Sequence, residues 1–314
     1  MISTQELFRL IRGAIAVAEP LSPYTGLRIG GTADYFIKPR DRADLCRAFG
    51  YFRERGLPFF ILGRGSRLLV HEEGFRGTVI STQYLDRVVI DGEAVEADAG
   101  VPIAELADHV TRASLSGLGD FGAGTGTVGG AISRIDGTPG REAGECLEWV
   151  DVLRNGRVRR LKNGELRTGI VRRSLSNEVV LGAGFRLRRV SGRSRPQASR
   201  SAADGDRTVL PEADPKPGLS GSVFLDPEVG SGSVPASAAE LLDACDLRGV
   251  SRGGASFSGS DPNRIVNNGD ASSCNVLDLV RLAHGAVRQR FGVELELGLV
   301  LVGYNGNGNY ACSS

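Results

Sequence analysis

The chain has 314 residues, enough for about two domains, and 41% of them are hydrophobic, which supports a packed core and excludes wholesale disorder. Basic and acidic residues nearly cancel, 38 against 37, so no global field gathers nucleic acid or an anionic membrane. Glycine, at 44 residues, runs at about double its usual ~7% share without a Gly-X-Y period, which excludes collagen and predicts tight turns and close backbone approaches to a ligand.

Residues 1–20 read as an amphipathic helix with Leu7, Leu10, Ile11 and Ile15 on one face. They lack the long apolar run and small-residue cleavage site of a signal peptide. No stretch approaches the ~20 apolar residues of a membrane span. Residues 33–41 predict a strand, with Asp41 as N-cap of a helix that stops at Gly56. PFFILGRGSRLLV follows as buried strand, glycine loop and second apolar run. Hairpin turns are expected at Asp91-Gly92 and Asn155-Gly156, with a helix (IAELADHVTRAS) between them. VVLGAGFRLRRV is a further strand. Residues 191–210 carry no apolar period and read as a linker or mobile loop. Beyond them lie the helices AAELLDACDL and SSCNVLDLVRLAHGAVRQRFG, the second with Val276, Leu279, Val280, Ala283 and Val287 on one stripe, and then the strand VELELGLVLVG. Residues 304–314 read as a disordered tail. The five scattered cysteines, without CxxC spacing, point to a reduced, cytoplasmic chain, and the three histidines form no metal-ligand pair.

Three glycine clusters can carry chemistry. Gly63-Arg64-Gly65-Ser66 directly follows a strand, where successive backbone N–H groups form a nest for a phosphate or an ordinary tight turn. It lacks the Lys of a Walker loop and is not a GxGxxG fingerprint. Residues 122–131, with five glycines and small threonines, let a planar or extended ligand lie on bare backbone. Gly218 to Phe224 places Ser220 and Ser222 between glycines and a strand, as proton donor or as turn hydroxyls.

Taken together, RIGG at 28–31, ILGRGS at 61–66, GTVGGA at 126–131, RRS at 172–174 and GSVFLDP at 221–227 resemble the UDP-N-acetylenolpyruvoylglucosamine reductase (MurB) family, in one order over about residues 20–303. The resemblance implies an α+β fold. A two-part FAD-binding domain of the vanillyl-alcohol-oxidase type would span 1–190, with subdomains near 20–80 and 81–190. A smaller C-terminal α+β substrate domain would span 211–303. It implies noncovalent FAD, with Arg28, Gly63, Arg64, Gly65, Ser66, Arg67 and Leu68 near its phosphates. Gly122, Gly124, Thr125, Gly126, Thr127, Gly129, Gly130 and Val180 would lie along the rest of the cofactor. It implies Ser222 as the acid that protonates a substrate carbon and Arg172 as the anion-stabilising group.

Several positions depart from the family pattern. The family's catalytic glutamate aligns with Gly298. Glu296 points to the same side of a strand but lies about 6–7 Å further along, so it substitutes only if the strand bulges. Leu225 and Asp226 replace a lysine and an asparagine, and Asp261 and Arg264 stand where the family has histidine and phenylalanine. With the changes concentrated on the substrate side, the expected activity is that of an FAD-dependent enzyme acting on something other than the UDP-sugar, with Asp226, Asp261 and Arg264 lining a changed pocket. The alternatives are the genuine reductase, with NADPH as electron donor, and a non-catalytic flavin-binding protein.

Overall fold

The computed structural model describes residues 4–118, 126–133, 146–166, 178–190, 199–201, 218–227 and 237–304. The chain divides into two compact units, the first comprising Met1–Val17, Tyr35–Arg64 and Gly77–Pro211, the second Ala18–Asp34, Gly65–Arg76 and Glu212–Ser314. The short segments 18–34 and 65–76 thus join the C-terminal part, whereas a linear division at residue 190 leaves them in the N-terminal one.

The first unit holds two apolar cores. In one, the helix Arg42–Glu54 buries Leu45, Ala48, Phe49 and Phe52 together with Ile37 and Ile80. Asp41 caps this helix as expected, its carboxylate accepting from Asp44 N at 2.8 Å. The helix borders a four-stranded sheet ordered Ala14–Pro20, Thr32–Lys38, Phe75–Ser81, Phe59–Leu62, the last two parallel. The other core lies on a six-stranded sheet ordered Arg157–Lys162, Leu147–Arg154, Val179–Arg186, Ala94–Asp98, Val88–Asp91, Ser199–Ser201. Asn155 and Gly156, at φ 48° and 72°, make the first hairpin turn of this sheet. Its last strand falls inside the stretch read as linker and pairs with Val88–Ile90.

The N-terminal helix is shorter than its sequence suggests. It covers only Thr4–Leu10, and Ala14–Pro20 is a strand. Gly13 lies where a Cβ would be 1.8 Å from the Lys38 carbonyl oxygen, so sheet contacts override the helical pattern there.

In the second unit the long helix Ser273–Phe291 packs Val276, Leu279, Val280, Ala283 and Val287 into a core with Val223, Phe224 and Phe257. It lies beside a four-stranded antiparallel sheet ordered Gly218–Leu219, Ile265–Asn267, Ala255–Phe257, Ser251–Arg252. Of the expected final strand only Val300–Val302 is regular, pairing parallel to Leu68–Val70. That pairing draws the segment 65–76 into this unit. Cys46, Cys146 and Cys245 are free, while Cys274 is disulfide-bonded to a partner outside the described residues, against the expectation of a fully reduced chain.

Candidate functional site

In the first unit the parallel pair ends at Leu62, whose carbonyl accepts from Thr82 N at 2.8 Å. The next residue, Gly63, packs so tightly that a Cβ would lie 2.6 Å from Thr127 Oγ1. Thr127 is buried and caps the turn Val128–Ile132, accepting from Gly130 N at 3.2 Å. Gly129 N donates to Ala99 O at 2.8 Å, Val128 N to Val101 O at 2.9 Å and Ile103 N to Gly126 O at 3.1 Å. These bonds fix the 126–130 backbone to the turn at 99–103 and leave Gly130 exposed. The glycines are therefore required in part by the protein's own packing: a Cβ on Gly129 would meet the Ala99 Cβ at 2.8 Å. Beyond the C-terminal ends of the parallel strands, where open α/β sheets take their ligands, the buried Gln83 Oε1 has no hydrogen-bond partner. Gln83 was missed by sequence reasoning, since only its burial singles it out. Val180 is a packing residue of the six-stranded sheet's core, opposite Val152. Gly122, Gly124, Thr125 and Arg172 lie outside the described residues.

In the second unit three short segments interlock. Gly26 N donates to Gly65 O at 2.9 Å, Leu219 N to Gly26 O at 2.7 Å, and Gly221 N to Ser66 O at 2.6 Å. Gly65 needs to be glycine twice over, with φ +61° and a Cβ position 2.1 Å from the Tyr24 carbonyl oxygen. Arg28, at φ 59°, turns its guanidinium back to the Pro23 carbonyl at 2.6 Å. Leu68 opens the strand that pairs with Val300–Val302. Among the described residues the N–H groups of Gly63 and Arg64 in the first unit, and of Gly65, Ser66 and Arg67 in the second, donate to no protein acceptor. Within each unit taken by itself, the glycine backbone with its unspent N–H donors suits phosphate oxygens, and in the first unit the orphaned Gln83 acceptor suits a ligand donor, as an FAD would supply.

Ser222 sits at the end of this interlock, partly buried, its hydroxyl making no hydrogen bond among the described residues. The segment after it is pinned by Asn263, whose side chain accepts from Phe224 N at 2.8 Å and donates to Phe224 O at 3.0 Å. Asn263 is another residue missed from sequence, though it lies inside the DPNRIVN block. Ser220, fully buried, accepts from Ile265 N at 2.8 Å. Phe224 pairs with Leu297 across an antiparallel bridge flanked by Leu225 N to Glu296 O at 2.9 Å and Gly298 N to Val223 O at 2.6 Å. That pattern is regular, with no bulge. Glu296 is consequently exposed opposite Leu225, and the condition for it to stand in at 298 is not met. A Cβ on Gly298 would lie 2.9 Å from Ser222 O.

The three candidate pocket residues have structural partners. Asp226 accepts from Ala238 N at 2.8 Å at the start of a helix, and Asp261 accepts from Asn263 N at 3.0 Å. Arg264 Nε donates to the Ser220 carbonyl at 2.8 Å. Burial pushes the Arg67 guanidinium below its ordinary range, with the Asp226 charge acting in opposition.

Residues 33–162 match the family described as FAD binding domain, and 214–302 match UDP-N-acetylenolpyruvoylglucosamine reductase, C-terminal domain. Fold and site thus define an FAD-dependent oxidoreductase. The UDP-N-acetylenolpyruvoylglucosamine reductase of Chloroherpeton thalassium is 36% identical over 308 residues, 97% of this chain and 98% of its own. That of Pelobacter propionicus is 34% identical over 295 residues, 93% and 97% of the two chains. The crystal structure of UDP-N-acetylenolpyruvylglucosamine reductase (MurB) from Thermus caldophilus aligns with a TM-score of 0.65 at 26% identity, covering 93% of this chain and 99% of that one. The chain belongs to the UDP-N-acetylenolpyruvoylglucosamine reductase family. Near-full-length relatives bearing that name overturn the expectation, drawn from the altered substrate-side residues, of a flavoenzyme with an unrelated substrate. Asp226 and Asp261 each hold a local backbone N–H, so a carboxylate at these positions does not by itself require a different substrate.

Proposed function

We propose that the chain is an NADPH-dependent reductase of UDP-N-acetylglucosamine enolpyruvate, acting in the cytoplasm with noncovalent FAD. The observation that carries this reading is the 36% identity to a named reductase over 97% of the chain. In the first unit Gly63, Arg64, Gly126, Thr127, Gly129 and Gly130, with Gly122, Gly124 and Thr125, would hold FAD. In the second, Arg28 and the backbone of Gly65, Ser66, Arg67 and Leu68 would do so. Bound FAD supplies a two-electron carrier between NADPH and the substrate's vinyl group. Ser222 then donates its hydroxyl proton to the carbon that bears the carboxylate, and Arg172 stabilises the negative charge that precedes this proton transfer. With glycine at 298, no side chain there supports Ser222. The pinned Phe224 and the Gly221–Ser66 bond hold it in place.

The test is the purified full chain, loaded with FAD and given the enolpyruvyl substrate and NADPH. Substrate-dependent NADPH oxidation on the order of 1–10 per second is expected. A flavin that NADPH reduces fully but that the substrate leaves reduced overturns the assignment.

A further inference from the structure

The Arg67 side chain lies against the segment that presents Ser222, as does Arg264, whose Nε is committed to the Ser220 carbonyl at 2.8 Å, and the cofactor reading uses only the backbone of Arg67. A Cβ on Gly221 would meet Arg67 Cγ at 2.8 Å and Nε at 3.2 Å, so the arginine stem runs over bare glycine backbone one residue before Ser222. Gly221 N, bonded to Ser66 O at 2.6 Å, fixes the two segments together. Among the described residues the guanidinium donates no hydrogen bond and closes no ion pair, although it is partly buried. Asp226, the carboxylate whose charge it feels, is committed to Ala238 N. The Arg67 guanidinium nitrogens are not closed off from solvent, so the planar fork is open to an anionic ligand.

We propose that the Arg67 side chain binds the carboxylate of the enolpyruvyl group. This rests on the reductase reading. The carbon protonated by Ser222 is bonded directly to that carboxylate, and Arg67, unlike Arg264, has a guanidinium without a hydrogen-bond partner among the described residues. When hydride has added to the terminal vinyl carbon, the electron pair left on the neighbouring carbon delocalises into the carboxylate oxygens, and a guanidinium fork holds both of them. As the Ser222 proton arrives, the pair becomes a C–H bond and the carboxylate returns to a single charge. Arg67 would thus supply donors near Ser222, whereas position 298 offers none.

The experiment compares the full chain with Arg67→Met, which keeps a stem over Gly221, and Arg67→Lys, which keeps the charge without the fork. Expected for Arg67→Met is unchanged FAD content, flavin reduction by NADPH within twofold of wild type, and a kcat/KM for the enolpyruvyl substrate lowered about 30-fold or more. Arg67→Lys should recover part of that loss. UDP-N-acetylglucosamine, which lacks the carboxylate, should inhibit wild type and Arg67→Met equally. Loss of FAD in both variants, equal weakening of that inhibitor, or kcat/KM within twofold of wild type overturns the proposal. Titration of the oxidised flavin spectrum separates the two readings. If wild type binds the enolpyruvyl compound without turnover, the reductase reading fails. Arg67 then still stands if Arg67→Met loses binding of that compound and keeps that of UDP-N-acetylglucosamine, and it falls if both or neither change.

Discussion

Ser222 owes its position to groups that are themselves fully engaged: Asn263 fastens Phe224 on both backbone sides, and the Ser66 carbonyl holds Gly221. Replacing Ser222 by alanine should leave flavin reduction by NADPH unchanged and lower turnover of the enolpyruvyl substrate by about 100-fold or more, within the range of a lost general acid. Stopped-flow measurement of the two half-reactions checks this. Asn263→Ala should cost stability as well as activity, about 1–3 kcal/mol, because two buried backbone groups lose their partners. Chemical denaturation measures that cost. Ser222 stands out in the sequence through the family resemblance of the GSVF block, since a hydroxyl between glycines and a strand reads equally as a turn group. Asn263 does not stand out, and Arg67 does so only beside the cofactor phosphates, because the placement of each side chain depends on a partner distant in sequence: residue 224 for one and residue 221 for the other.

At the scale of elements, the long helix Ser273–Phe291 begins on two kinds of cap. Ser272 and Asn275 form a reciprocal capping box. In addition the Glu72 carboxylate accepts from the Ser273 hydroxyl at 2.6 Å and from its N–H. Burial raises the Glu72 pKa, but the Ser273 hydroxyl and amide outweigh it, and the net shift is downward. A carboxylate with a folded value below its unfolded one stabilises the fold above the unfolded value, and that contribution disappears as pH falls through the folded one. The melting temperature of Glu72→Gln should therefore lie below wild type at pH 7, and the gap should close toward pH 3. This helix was legible throughout, since its apolar stripe, N-cap serine and terminal Gly292 all agree. The first helix was not: its apolar positions satisfy a helical period, yet Gly13 and the strand after it answer to the backbone at Lys38, which no local pattern encodes. Likewise the assignment of residues 65–76 to the second unit depends on a parallel pairing with residues 300–302, more than two hundred positions away.

For the molecule as a whole, the first unit joins its two cores through charge. Arg42, on the helix of one core, donates to Asp98 at 2.9 Å and to Asp151 at 3.2 Å on the sheet of the other. Arg160 adds two bonds to Asp151 while stacking on Trp149 at 3.5 Å. Both carboxylates are almost wholly buried, so Arg42→Ala should destabilise the unit by about 3 kcal/mol, the cost of stranding charge. Burial raises the Asp98 pKa against the pull of Arg42. Ionisation of a group shifted upward costs stability at neutral pH, and the cost fades as pH drops through the raised value. The deficit of Arg42→Ala should accordingly be smaller near pH 4 than at pH 7, as thermal melts of both proteins would show.

The backbone is tightly closed around Gly298. The N–H of this glycine reaches Val223 O at 2.6 Å, and a Cβ would sit 2.9 Å from Ser222 O. An acid placed at 298 would therefore need the 222–224 backbone to shift before its carboxyl could approach Ser222. Gly298→Glu alone is expected to lower the melting temperature, since the added side chain meets main-chain atoms that cannot rotate away.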